Sequence, residues 1–482
     1  MGRLNNDTRL KGKGMDKKAV SKNNHYFLKE LETLSADALK HLQFEKTRQT
    51  LERAYHKSDF YRQRFDEAGV KPEDFKDLED IRRFPFIDKQ DLIKDQERHP
   101  PFGSRVCVDS QKIRRVNLTS GTSGMGQEVH CHEEASIRAA NESTACHFAA
   151  ISLKPGDLSA VLYPLGTMTG GMLSYEALRL FGATPLALAV FNTGQKIDIM
   201  KRFDVHHILT TPAYLSRITA ICLEQGLNPG KTFSRLKGIT VSTEPFPVAW
   251  ALKMEEIWQT VIHDIYGSTQ LNLNYAVTCK YGAVPDGNLG VYHLADYFAL
   301  VEVLDKDTDQ PVDYGEWGEP VVTTFSRQAM PLVRFRSNDR VRMLPPDLCD
   351  CGRTSRALWE VGSVSRFDDM IKIKATNVWP QTVDEAVFSF DEIEEYNGRV
   401  YIDQNGQEIA RISLEFKKTA PDDSAKTAIL HQLAAKIKEM TQVSMVCEEV
   451  PYGTLPRFEY KVRRWTDARI EGLDRIKYIE KE

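Results

Sequence analysis

Apolar residues recur at helical spacing through residues 19–75, with few breakers before Gly69, and predict an all-helical N-terminal stretch. A second helical pattern, ASIRAANESTACHFAAISL, opens near His132 and Glu133. From about residue 158 the pattern alternates. SAVLYPL, TPLALAV, HHILTT, GITVST and VIHDIYG read as buried strands, and the stretches after the first four of them carry helical periodicity. Strand and helix in turn predict a doubly wound, mostly parallel sheet. In such a sheet the segments STEPFP (242–247) and YGSTQ (266–270) emerge at the carboxyl ends of strands, where ligands bind. From about 289 to 345 helical periodicity fades into short strands, a β-rich subdomain. The last stretch alternates again, with strands RVYID and ARISLEF and helices TVDEAVFSF and DSAKTAILHQLAAKIKEM. The expectation is an α/β protein in three parts: a disordered leader at 1–18, a large core at 19–364, and a small α+β domain at 365–482.

Composition narrows the class. With 41% hydrophobic and 27% charged residues, the chain is globular. Its net charge of −4 offers no basic field for nucleic acid, and no apolar run approaches the about 20 residues that span a bilayer. The first 18 residues are basic and polar, without the apolar segment of a secretory signal. Eight cysteines in 482 residues do not make a disulfide scaffold, so the expected compartment is reducing and cytoplasmic.

One stretch stands out chemically: VNLTSGTSGMGQEVH, residues 116–130. Thr119, Ser120, Thr122 and Ser123 alternate with Gly121 and Gly124. Glycines let backbone N–H groups close on an anion and hydroxyls add short donors, which suits a polyphosphate. No Lys follows the glycines, so this is not a P-loop, and taken alone it reads first as an ordinary Ser/Thr turn. Cys279, His293, Cys349 and Cys351 offer three thiolates and an imidazole, a tetrahedral zinc set; the alternative is four unrelated buried residues.

Several stretches in fixed order resemble one family. SDFYRQRFDEAGVKPEDF, TSGTSG, TGGMLSYEALRLFGA, TTPAYL, STEP, YGSTQ, PLVRFRSND, SRFDDMIKIKATNVWP and LPRFEYK are similar to segments of the adenylate-forming acyl ligases, in particular their phenylacetate–coenzyme A ligase branch, over roughly residues 45 to 470. The resemblance implies an AMP- and pyrophosphate-forming ligase. An aromatic or arylacetic acid would attack the α-phosphate of ATP, and the acyl-adenylate would pass to coenzyme A. Magnesium and a homodimer are also implied.

The resemblance assigns roles by position. Thr119, Ser120, Gly121, Thr122, Ser123 and Gly124 would hold the β- and γ-phosphates. Tyr266, Gly267 and Ser268 would meet adenine, together with Ser242, Glu244 and Pro245. Thr269 would contact the α-phosphate and Gln270 the magnesium. Asp339 would accept hydrogen bonds from both ribose hydroxyls, one per carboxylate oxygen, with Arg336 and Arg366 beside ribose or phosphate. Lys461 would reach the α-phosphate from the small domain, and Asp368 would be its hinge. Tyr163, Gly170, Gly171 and Tyr214 are the acid-pocket candidates. The segment C-x-C-G-R-T at 349–354 resembles the branch's own, in which some members carry structural zinc.

The chain also departs from the family pattern. Met125 replaces a lysine, Gln270 a magnesium-binding glutamate, Ser365 a glycine, and Ala375 a glycine of the pantetheine tunnel. Ala375 motivates an alternative acceptor: an amine, a hydroxyl or a carrier-protein thiol. The lost charges motivate a third reading, a degenerate nucleotide-binding homologue.

Overall fold

The computed structural model describes residues 25–119, 127–373, 376–403, 407–419, 422–456 and 464–469, without the side chain of Asp368. The leader, Ser120, Gly121, Thr122, Ser123, Gly124, Met125, Ala375 and Lys461 lie outside the described residues. The chain forms two compact units. One comprises Met1–Thr210, Ile218–Thr243 and Met254–Val364; the other comprises Ser365–Glu482 with Thr211–Arg217 and Glu244–Lys253.

In the larger unit the predicted helical stretch is interrupted. Helices Ala36–Lys57 and Asp59–Glu67 meet at Ser58, whose hydroxyl caps the second by accepting from the Tyr61 N–H at 3.4 Å. The same hydroxyl donates to the Ser104 carbonyl at 3.1 Å, and the Ser58 N–H closes the first helix on the Ala54 carbonyl at 3.2 Å, so one residue ends one helix and starts the next.

The alternating region behaves as its periodicity predicts. Strands Leu158–Val161, Thr184–Ala187, His207–Thr210, Gly238–Ser242 and Ile262–Ser268 lie parallel in the order 184, 158, 207, 238, 262 by first residue. Helices Thr169–Phe181, Thr193–Phe203, Pro212–Glu224 and Val248–Trp258 connect them. The central strands His207–Thr210 and Gly238–Ser242 are buried on both faces, which is why they read as continuous apolar runs, whereas the edge strand Thr184–Ala187 is only partly buried. Histidines are nonetheless built into this core: the Thr240 hydroxyl meets His147 Nε2 at 3.1 Å and His207 Nε2 at 2.8 Å.

The β-rich region is not a separate body. After Ile262–Ser268 the chain reverses through Thr269–Asn272, with Asn272 at φ +50°, and strand Leu273–Thr278 pairs back antiparallel. The sheet continues through Val291–Leu294, Leu358–Glu360, Asp339–Leu344, Trp317–Thr324 and Ala299–Leu304, all antiparallel to their neighbours. One sheet therefore changes from parallel to antiparallel at the strand that carries Tyr266. Short sequence separations allow hairpins on one side, whereas parallel pairing needs helical crossovers on the other.

The smaller unit holds a four-stranded sheet in the order Val446–Glu449, Glu408–Phe416, Ile393–Ile402 and Trp465–Asp467. Helices Pro380–Val387 and Asp423–Thr441 bury Val383, Val387, Leu433 and Ile437 with Tyr396 and Leu414 of that sheet. The flanks of the segment carrying Lys461 are anchored here. Leu455 N–H donates to Glu415, the Arg464 guanidinium pairs with Glu395 at 2.6 Å, and the Arg464 carbonyl accepts from Gly398 N–H at 2.8 Å.

Among the described residues, no helix is long and apolar enough to cross a membrane.

Candidate active site

The hydroxyl/glycine segment links two described strands in sequence. Arg115–Leu118 and Val129–His132 pair antiparallel, and beyond them Thr119 and Glu128 close the base. Thr119 N–H donates to the Glu128 carbonyl at 3.1 Å, and Glu128 N–H donates to the Thr119 hydroxyl at 2.9 Å. Helix Lys89–Arg98 holds the outgoing strand: the Gln96 amide bonds both the Gln127 carbonyl, at 3.2 Å, and the Val129 N–H, at 2.8 Å. Leu118 N–H and the Asn117 amide both donate to the Thr167 carbonyl, at 3.1 and 2.8 Å. This ties the hairpin to the loop preceding helix Thr169–Phe181. Gly171 is required there, because a Cβ would stand 2.0 Å from the Pro164 carbonyl oxygen; Gly170 faces open space.

At the carboxyl ends of the parallel strands, the predicted residues gather in part. Tyr266 donates its hydroxyl to Asp339 Oδ2 at 2.5 Å and meets the Trp359 ring edge-on, with centroids 5.7 Å apart. Gly267 lets the next strand approach: a Cβ would lie 2.4 Å from the Leu273 carbonyl oxygen. Ser268 uses its hydroxyl to start the turn, accepting from Leu271 N–H at 3.2 Å, with Thr269 half-buried beside it. Tyr163 is buried, and its hydroxyl bonds the Thr210 carbonyl and the Ser242 hydroxyl, joining three strand ends. Thr243, which follows Ser242, adopts φ +75°, a conformation that favours glycine. Arg336 pairs with Glu319 at 2.8 Å and Asp309 at 2.9 Å, over the Phe86 ring. In the smaller unit, the Glu244 carboxylate accepts from Ala213 N–H at 3.2 Å, Pro245 is exposed, and Tyr214 is buried in the first turn of its helix. Arg366 is exposed in strand Ser365–Arg366, directly before the turn Phe367–Asp369 that includes Asp368.

Two groups were not anticipated from sequence. Asp264 shares a strand face with Tyr266 and accepts the Tyr292 hydroxyl; burial pushes its carboxyl up to about 7. Glu128 is fully buried, accepts from Gln270 Nε2 at 2.8 Å and has Lys89 Nζ at 3.7 Å. Burial pushes its carboxyl above the ordinary carboxylate range, against the pull of Lys89. The available signal was polar residues at every second position, Glu128, His130 and His132, along a buried strand.

Away from the nucleotide-type groups, four metal-type donors converge. Cys279 follows strand Leu273–Thr278, His293 lies on Val291–Leu294, and Cys349 and Cys351 precede Leu358–Glu360. Cys279 Sγ lies 3.8 Å from Cys349 Sγ, and Cys351 Sγ lies 3.4 Å from His293 Nε2. All four donor atoms fall within 4.8 Å of one another, three of the residues being buried.

The model of the AMP-binding enzyme family matches residues 32–326, and that of the AMP-binding enzyme C-terminal domain matches residues 375–469. The chain belongs to the AMP-binding enzyme family. Within that family it is 29% identical to phenylacetate-coenzyme A ligase of Escherichia coli (strain K12) over 448 residues, 92% of this chain and 98% of the relative. It is 30% identical to the enzyme of the same name from Aromatoleum evansii over 365 residues, 75% of this chain and 78% of the relative. The fold matches that of 2-hydroxyisobutyryl-CoA ligase in its postadenylation state with 2-HIB-AMP, at a TM-score of 0.85, 23% identity, and 96% of both chains covered. Anthranilate CoA ligase AuaEII, in complex with anthranoyl-AMP, is a more distant neighbour, at a TM-score of 0.55 and 16% identity over 79% of this chain and 68% of that one.

Proposed function

We propose that this chain is an ATP-dependent acid–coenzyme A ligase that adenylates an aromatic or arylacetic acid and transfers the acyl group to the thiol of coenzyme A. The observation that carries this reading is the Tyr266–Asp339 pair at the carboxyl end of the sheet, on a chain of the AMP-binding family. Similarity along most of the chain to ligases named for phenylacetate favours an aryl acid.

In this reading the Tyr266 ring covers the purine, with Gly267, Ser268 and Ser242 beside it. Asp339 takes the vicinal ribose hydroxyls; its Oδ2 already accepts one hydroxyl, that of Tyr266, so its acceptor geometry is set before ribose arrives. Thr119 opens the phosphate segment and Thr269 faces the α-phosphate. Bound magnesium would neutralise charge on the leaving pyrophosphate. Lys461 would offset charge developing as the carboxylate attacks, and the small domain, hinged at Asp368, would then turn to present coenzyme A.

Structural zinc fits Cys279, His293, Cys349 and Cys351. Ligands at Zn–S about 2.3 Å and Zn–N about 2.0–2.1 Å in a tetrahedron stand about 3.8 Å apart for two sulfurs and about 3.6 Å for sulfur and nitrogen. The observed 3.8 and 3.4 Å agree with that spacing. The site would tie together three strands of the antiparallel half.

Incubation with ATP, magnesium, coenzyme A and a panel of aryl and arylacetic acids should release AMP and pyrophosphate, with acyl-coenzyme A forming at the same rate. No AMP with any acid would overturn the reading. AMP release without thioester would move it to another acceptor.

A further inference from the structure

Glu128 poses an energetic problem. Its carboxylate is fully buried at the base of the hydroxyl/glycine segment, and among the described residues its Oε1 has no hydrogen-bond partner. His130 Nε2 stands 3.9 Å from Oε1, on an imidazole that burial holds neutral, well below its ordinary value. A buried carboxylate oxygen left unsatisfied costs free energy unless something positive comes to it. Lys89 supplies part of that charge, but at 3.7 Å from the other oxygen. The position is not slack: Gln96 and Thr119 fix the backbone on both sides of Glu128.

The neighbour of Glu128 is chemically suggestive. The Gln270 amide stands 2.8 Å from Glu128 Oε2, on the turn that follows Tyr266. Two oxygens sharing an edge of a magnesium octahedron, each about 2.0–2.1 Å from the ion, lie about 2.9 Å apart. The two ends of an amide have nearly the same shape, so turning Gln270 over places its oxygen where its nitrogen now stands. An amide alone is a neutral and weak ligand; paired with a carboxylate it completes a hard-oxygen edge.

We propose that Glu128 and Gln270 together hold the divalent cation that accompanies ATP, with Glu128 supplying its anionic ligand. The inference rests on the reading of this site as ATP-binding and adds a metal-binding residue to it. When the cation binds, Glu128 Oε2 exchanges the Gln270 N–H for the metal, and the added positive charge neutralises the buried carboxylate, Oε1 included.

The test measures binding of the manganese–ATP complex by electron paramagnetic resonance, and of ATP in chelator by calorimetry, with no acid present. Wild type should bind manganese–ATP. Glu128→Gln should weaken that binding at least about tenfold while changing metal-free ATP binding less than about twofold, since only the ionic ligand is lost. The double variant E128Q/Q270E returns a carboxylate to the same edge and should recover to within about threefold of wild type. Manganese–ATP binding by E128Q equal to wild type, equal loss of metal-free ATP, or no recovery in the double variant would each overturn the proposal, as would a wild type that binds no manganese–ATP. If E128Q does not fold, Q270E alone decides: it should bind manganese–ATP more tightly, and unchanged or weaker binding refutes the assignment. Failure of every acid in the AMP-release panel, with these binding shifts intact, would reject the acid–coenzyme A reading and leave the cation site standing.

Discussion

Asp264 offers a quantitative test of how the strand beneath Tyr266 is held. Burial first, opposed by the hydrogen bonds from Tyr292 and the Ile265 N–H, keeps its carboxyl at about 7 rather than the ordinary 3.8. The folded state therefore prefers the protonated acid. A raised folded value means that the stabilising contribution is fully present below 3.8 and is lost as pH rises through about 7. Carried to completion, the difference corresponds to about 4 kcal/mol. Asp264→Asn keeps an acceptor for the Tyr292 hydroxyl and cannot ionise. The stability of the variant minus that of wild type should grow by about 2–3 kcal/mol between pH 5 and pH 8. Urea-unfolding midpoints at several pH values in that window measure it. Buried His147, His207 and His263, all held low by burial, destabilise both proteins as pH falls below 6.5, and they cancel in the difference. A difference that stays flat with pH would refute the claim that Asp264 is buried as an acid.

Two further perturbations address the site's backbone and its metal donors. Thr243→Gly should stabilise the protein by about 1 kcal/mol, because a β-branched residue at φ +75° pays a left-handed penalty that glycine avoids; an unchanged urea midpoint would show that no strain is stored there. Purified protein should contain one equivalent of zinc, and Cys351→Ser should lose it and lower the melting temperature by on the order of 5–10 °C. Metal content and melting temperature both unchanged in Cys351→Ser would refute the zinc assignment.

The order of strands and helices from 158 to 268 was legible because each signal there is local. Apolar runs bounded by Pro and Gly mark strands, and period 3.6 marks the helices between them. The position of STEPFP and YGSTQ followed from the same reading, since parallel strands joined by helical crossovers put their carboxyl ends on one edge. The nine ordered motifs carried the family, and the C-x-C segment pointed to Cys349 and Cys351. Strand Leu273–Thr278 was missed, because a hairpin through Thr269–Asn272 depends on Asn272 reaching φ +50° and on a partner strand that periodicity does not see.

What only the tertiary structure decided is which charges meet. Pairings such as Arg336 with Glu319 and Asp309 join positions that the chain brings near only by folding. Gln270 reaches Glu128 across 142 positions, and Lys89 approaches the same carboxylate from a third element. Secondary structure is written in near-neighbour periodicity, which the sequence by itself determines. The ionisation of a buried carboxylate depends on desolvation and on neighbours from distant strands, and both exist only once the sheet has closed around it.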